Sequence, residues 1–169
     1  MRKARVLAGL VVIAMVATAV SWLLAADRSE QVVARRLLQT SGVQGGLVVH
    51  LGCGEGRLTA ALHASDSYLV QGLDRKADRV ARARKFLLRR GLYGKVTVDR
   101  LVGDRLPYIE NLVNLLVVED PSGISEDEMM RVVAPLGVVY IKRGGRWEKR
   151  GKPWPKEIDE WTHYLHDAT

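Results

Sequence analysis

The chain has 169 residues and a mass of 18.8 kDa, enough for one α/β domain and too little for two. Hydrophobic residues at 47% and charged residues at 27% exclude a disordered chain, and the single cysteine, Cys53, excludes an internal disulfide framework and a cysteine-based zinc site. The net charge of +7 is a mild basic bias: Arg2, Lys3 and Arg5 supply three of the excess positives, and the remaining +4 selects no anionic partner.

Arg2-Lys3-Ala4-Arg5 precedes an uncharged run, Val6–Ala26. A basic flank ahead of such a run is the pattern of a secretory signal peptide. Its 21 residues are also long enough to span the hydrocarbon core of a bilayer as a helix. Two readings stay open, a signal cleaved near Ala26 and an uncleaved membrane anchor. Both keep the basic flank in the cytoplasm and export the residues from about Asp27 onward. The expected organisation is a signal peptide or anchor over 1–26, a domain over 27–143 placed in the periplasm or on the outer side of a membrane, and a basic, Trp-rich tail over 144–169.

From there helical and strand patterns alternate. Ser29 is placed to cap a helix that runs to about Thr40 and stops at Gly42. Gly46–Leu51 reads as a buried strand, and Arg57–Ala64 as a helix with Leu58, Ala61, Leu62 and Ser65 at i, i+3, i+4, i+7 spacing. Tyr68–Leu73 is a second strand. Arg75–Arg90 is a long helix ended by Gly91, its apolar face interrupted by Arg84, whose stem is expected to pack while its head reaches water. Lys95–Val102 and Leu112–Val118 are further strands, the latter almost continuously apolar, as suits the middle of a parallel sheet. Ser125-Glu126-Asp127-Glu128 forms a capping box for a helix to about Val133, Pro135 ends it, and Gly137–Ile141 is a fifth strand. This alternation predicts an α/β fold, a Rossmann-like doubly wound parallel sheet in the order 3-2-1-4-5.

Between the first strand and the next helix lies His50-Leu51-Gly52-Cys53-Gly54-Glu55-Gly56. Glycines there let the backbone turn sharply and come close to a ligand. Asp74 closes the second strand 22 residues after Gly52, where a carboxylate can accept from ribose hydroxyls. A dinucleotide fingerprint needs a glycine where the chain has Arg57, so a nucleoside without a pyrophosphate fits better. The alternative is a glycine-rich turn in a Rossmann-like sheet that binds nothing.

Over about Val33 to Arg143 the sequence resembles the class I S-adenosylmethionine-dependent methyltransferases, through VVHLGCGEGRLTAAL, through VQGLDR, through Gly103-Asp104, and through Ala134-Pro135-Leu136-Gly137. The resemblance implies that Gly52, Gly54 and Gly56 face the methionine and ribose parts of S-adenosylmethionine, with Cys53 supplying backbone. It implies that Asp74 holds the ribose and that Asp104 accepts from the adenine amine. It puts Glu119-Asp120-Pro121 on the substrate side, with Asp120 as the candidate base; the methyl acceptor is unspecified. His50 stands where the family usually has an acidic residue, and the helix and antiparallel strand pair that normally end the sheet are not visible, so this C-terminal pair is expected to be missing.

The segment Lys152–Thr169 resembles the junction, in bacterial exported proteins, between a methyltransferase-like domain and a pyrroloquinoline-quinone-type β-propeller. That gives the second reading, a non-catalytic Rossmann-like module that docks or spaces a propeller outside the cytoplasm. The tail is then expected to be loosely held, with trypsin cutting at Lys149, Arg150 or Lys156. His163 and His166 have no third well-spaced ligand, so no metal site is expected. The basic helix Arg75–Arg90 reads as a solvated face rather than a nucleic-acid surface.

Overall fold

A computed structural model describes residues 27–121 and 123–155. The segment 1–26, read above as a signal or anchor, and residues 156–169, which carry most of the propeller-junction resemblance and the trypsin site at Lys156, lie outside them. Among the described residues no helix is long and apolar enough to cross a membrane.

A helix α1 covers 27–41. It is followed by β1 (Gly46–Leu51), α2 (Arg57–Leu62), β2 (Tyr68–Asp74), α3 (Ala77–Arg89), β3 (Val96–Arg100), β4 (Val113–Val118), α4 (Glu126–Val132), β5 (Val133–Arg143) and β6 (Arg146–Gly151). The strands form one sheet in the order β3-β2-β1-β4-β5-β6. All pairings are parallel except the last, β5 with β6. The doubly wound sheet expected from the sequence is therefore present.

Alternation along the strands divides the core into two layers. Val48, Val70, Val98, Leu115, Val117 and Tyr140 point to a face covered by α1, α2 and α3. Val49, Leu51, Leu73, Leu116, Val118 and Ile141 point to the other, covered by α4 and by Leu101 and Leu106 of the loop after β3. Burial on both faces explains why β1 and β4 read as nearly unbroken apolar runs.

Three details differ from expectation. The antiparallel pair is not missing: β5 turns through Gly144-Gly145 into β6, with Arg143 opposite Arg146. Both glycines have positive φ, 55° and 79°, as a two-residue type I′ hairpin turn requires. Lys149 and Arg150 accordingly lie in a paired strand rather than a loose tail, and Lys149 Nζ donates to Thr40 O of α1 at 2.6 Å. Second, α1 is already helical at residue 27, so Ser29 lies within the helix rather than at its cap. Third, the head of Arg84 does more than reach water; it donates to Val98 O at 2.7 Å and to Oδ1 of the half-exposed Asp99 at 2.6 Å, tying α3 to β3.

At the start of α4, Ser125 Oγ accepts from the Glu128 N–H at 3.2 Å, half of a capping box. Glu128 does not complete it, because its carboxylate accepts from the Leu106 N–H at 2.7 Å and from Arg131. Pro135 sits in an irregularity of β5, where the register passes from Val113↔Val133 to Leu115↔Val138. Such a bulge tolerates proline because no ladder N–H is needed there.

Candidate cofactor site

The glycine loop leaves the carboxyl end of β1, the strand between β2 and β4, where the sheet changes winding direction. In open α/β sheets this crevice is the usual ligand position. The N–H groups of Gly52 and Cys53 both donate to Leu73 O, at 2.8 and 3.1 Å, which bends the loop toward β2. Gly52 has φ 77°, and a Cβ there would lie 2.7 Å from both N and Cβ of Asp120, so the loop also presses on the end of β4. Gly56 packs on α3, where a Cβ would stand 3.1 Å from Ala83 Cβ. Gly54 differs: its φ is 55°, yet a Cβ there would meet nothing within 4 Å. Its surroundings are open space.

Asp74 is 3% exposed. Its Oδ2 accepts from the Gly54 N–H at 3.1 Å and its Oδ1 from the Lys76 N–H at 2.9 Å, with Arg79 3.6 Å away. The structure thus brings Gly52, Cys53, Gly54, Gly56, Asp74 and Asp120 together at the carboxyl ends of β1, β2 and β4. Asp104 is exposed in the loop after β3 and makes no hydrogen bond or ion pair among the described residues. Cys53 is buried, and burial together with the Asp74 charge pushes its thiol up to about 12, so the side chain stays a neutral thiol.

A polar cluster the sequence reading had not assembled lies beside the loop. His50, fully buried on β1, shares a 2.9 Å hydrogen bond between Nδ1 and Thr59 Oγ1 of α2. Its Nε2 faces Glu119 Oε2 at 3.5 Å, an ion-pair distance but too long for a well-formed hydrogen bond, and has no other partner among the described residues. Lys142 of β5 donates to Glu119 Oε1 at 2.7 Å. The polar contact with His50, helped by Lys142, holds the Glu119 carboxyl down at about 2 against the opposing effect of burial. Glu30 of α1 is shifted the other way, by its own burial and then by the Glu119 charge. The carboxylate presented beside the glycine loop with a defined electrostatic environment is therefore Glu119, one residue before the Asp120 singled out from sequence. No spacing rule could have found the group, since it converges from α1, β1, the end of β4 and β5.

No protein-family model matches the chain, and no curated protein matches it in sequence. Solved structures do. The [4+2]-cyclase SpnF is 26% identical, with a TM-score of 0.58 over 71% of this chain and 47% of its own. A geranyl diphosphate C-methyltransferase from Streptomyces coelicolor, solved with Mg2+, geranyl diphosphate and S-adenosyl-L-homocysteine, is 17% identical, with a TM-score of 0.59 over 68% of this chain and 45% of its own. A SAM-dependent methyltransferase from Aquifex aeolicus is 21% identical, with a TM-score of 0.53 over 75% of this chain and 71% of its own. The fold is that of the S-adenosylmethionine-dependent methyltransferases. The chain spans about half the length of the first two of these structures. A methyltransferase fold also does not fix the reaction, as the cyclase among its bearers illustrates.

Proposed function

We propose that the domain binds S-adenosylmethionine in the crevice between the glycine loop and Asp74 and transfers its methyl group to an acceptor held near Glu119 and Asp120. The observation that carries this reading is the contact between the Gly54 N–H and Asp74 Oδ2, 3.1 Å, at the carboxyl end of the central strand. The residues present fit such a cofactor. Gly54 leaves open space where any side chain would stand. Asp74 uses one backbone N–H on each oxygen, and an ionised carboxylate has lone pairs left for two ribose hydroxyls.

When bound, S-adenosylmethionine supplies a methyl group on a sulfonium that is already a good leaving group. The protein's task is then mainly alignment and proximity. The glycine loop, fixed by two N–H bonds to Leu73 O, sets the floor of the crevice, and Asp74 orients what lies on it. Glu119, kept ionised by His50 and Lys142, holds a negative charge where an acceptor would approach. With its carboxyl so far down, Glu119 stabilises and orients better than it removes protons, which leaves Asp120 as the candidate base.

Calorimetric titration of the folded protein with S-adenosylmethionine tests the reading. Saturable binding that weakens on Asp74→Ala is expected. A folded protein that takes up no heat at millimolar cofactor would sink it and leave the non-catalytic module, a spacer or docking surface for a β-propeller, as the reading that stands.

A further inference from the structure

On the sheet face covered by α1, α2 and α3, residues of α1 and α2 line an open cleft of about 700 Å3, within the usual range for small-molecule sites. Small side chains line it on one side: Ala60 and Ala61 of α2 and Ala64, two residues beyond the end of that helix, contribute little volume. Leu38, Val43 and Leu92 with those alanines give it an apolar floor, beside the polar groups of Gln31, Gln39, Gln44 and His63. Its rim is cationic.

Three guanidinium groups stand on that rim, Arg35 of α1, Arg57 of α2 and Arg90 after α3. Asp27, the one carboxylate of the lining, binds both Arg57, at 2.8 Å, and Arg90, and the exposed Glu55 beside the cleft stands 3.8 Å from Arg57. Both arginines also lie over the ring of Phe86, at 5.3 and 4.7 Å from its centroid. These contacts fix the two planar donor groups in place before any ligand arrives, which lowers the ordering cost of binding. Arg35 is exposed and has no ion-pair partner among the described residues. The lining therefore carries a surplus of two positive charges over an apolar floor.

From this juxtaposition we infer that the cleft binds a phosphate monoester carried on an apolar body. A phosphate monoester holds close to two negative charges at neutral pH and three equivalent oxygens, which matches the surplus and the fork geometry of arginine. The apolar body lies on the alanine and leucine floor. A carboxylate would leave one positive charge unmatched, and inorganic phosphate would leave the floor uncovered. Free alkyl phosphates and the headgroup of a phosphatidic acid bilayer share this chemistry.

The test is calorimetry on the full chain with hexyl phosphate, inorganic phosphate and hexanol. Hexyl phosphate is expected to bind at least tenfold more tightly than either of the others. Arg35→Gln, at an exposed residue whose loss leaves no buried partner, should weaken that binding about tenfold or more. Ala64→Leu, at an exposed position just after α2, should do the same by filling the cleft. Circular dichroism confirms that both variants fold. Equal affinity for hexyl phosphate and inorganic phosphate, no binding of hexyl phosphate, or unchanged binding by both folded variants would each overturn the proposal. Sedimentation with phosphatidic acid and with phosphatidylcholine vesicles separates the sources. A loss of phosphatidic acid binding on Arg35→Gln makes the bilayer the source, and insensitivity there, with the hexyl phosphate effect intact, makes it a free amphiphile. Neither measurement depends on S-adenosylmethionine.

Discussion

The backbone N–H of Gly54 donates to Oδ2 of Asp74 across 3.1 Å, joining the tip of the glycine loop to the end of β2. The loop and the carboxylate are one unit, so a change at either has two consequences, on the ligand and on the loop itself.

Asp74→Ala separates them. The substitution removes the acceptor for the N–H groups of both Gly54 and Lys76 and, on the proposed reading, the partner of the ribose hydroxyls. S-adenosylmethionine affinity should fall by about 1–3 kcal/mol, the scale of a lost charge-assisted hydrogen bond. Stability should fall as well, by about 1–2 kcal/mol, because the two N–H groups lose a buried partner. Urea denaturation measures the second effect and calorimetry the first. A stability loss without any change in affinity would mean that Asp74 serves the loop alone.

The glycines differ in what forbids a side chain. At Gly52 a Cβ would lie 2.7 Å from the backbone N of Asp120, and the positive φ adds strain. Gly52→Ala should cost about 2–4 kcal/mol. At Gly54 only the left-handed backbone opposes a side chain, since nothing lies within 4 Å, and Gly54→Ala should cost about 1 kcal/mol. On the cofactor the order should reverse, with the folded Gly54→Ala losing S-adenosylmethionine binding because its Cβ enters the open crevice. Equal stabilities for the two variants would contradict this division of roles.

What was legible in the sequence follows from how local each signal is. Gly46–Leu51 and Leu112–Val118 could be read as central strands because burial on both faces leaves a continuous apolar run. The placement of Gly52, Gly54 and Gly56 in a tight turn and of Asp74 at the end of the next strand could be read because the two lie at nearly fixed spacing in this fold. β6 was not legible by hydrophobicity. It is an edge strand whose Arg146, Glu148, Lys149 and Arg150 face water, and only Trp147 packs on the core. Its one local signal was Gly144-Gly145, a two-residue hairpin turn. The cluster of His50, Glu119 and Lys142 had no local signal at all, because three strands bring it together.

Glu119 makes stability depend on pH in a window set by its shift. Its carboxyl is held at about 2 in the folded chain against an ordinary value of 4.5. A lowered folded value contributes stability that is present in full above about 4.5 and is lost as pH falls toward about 2. Partial exposure, 27% of the side chain, discounts the full linkage value to about 1–3 kcal/mol. Glu119→Gln should therefore destabilise the protein by that amount at pH 7, and the gap to the parent protein should narrow steadily below about pH 4.5. Denaturation midpoints measured between pH 7 and pH 3 check this, and a gap independent of pH would show that packing rather than charge is what Glu119 provides.

The hairpin that closes the sheet gives the last prediction. Trypsin needs an extended, accessible backbone around its cleavage site, and Lys149 and Arg150 are paired to Tyr140 and Val139 of β5. Lys149 is also bound to Thr40 O, and Arg150 to Glu126. Cleavage at both positions should therefore be slow, proceeding only as fast as β6 detaches. The turn is the place to weaken that pairing without touching the core. Gly145 has φ 79° and a Cβ there would meet no atom within 4 Å, so Gly145→Val clashes with nothing and acts through backbone conformation alone. It should disfavour the type I′ turn by about 1–2 kcal/mol and speed cleavage at Lys149 and Arg150 about tenfold. The sheet interior should stay resistant, because Val48, Val117 and Leu116 are fully buried. Rapid cutting at Lys149 in the parent protein, with no further acceleration in Gly145→Val, would mean that β6 is not held on the sheet in solution.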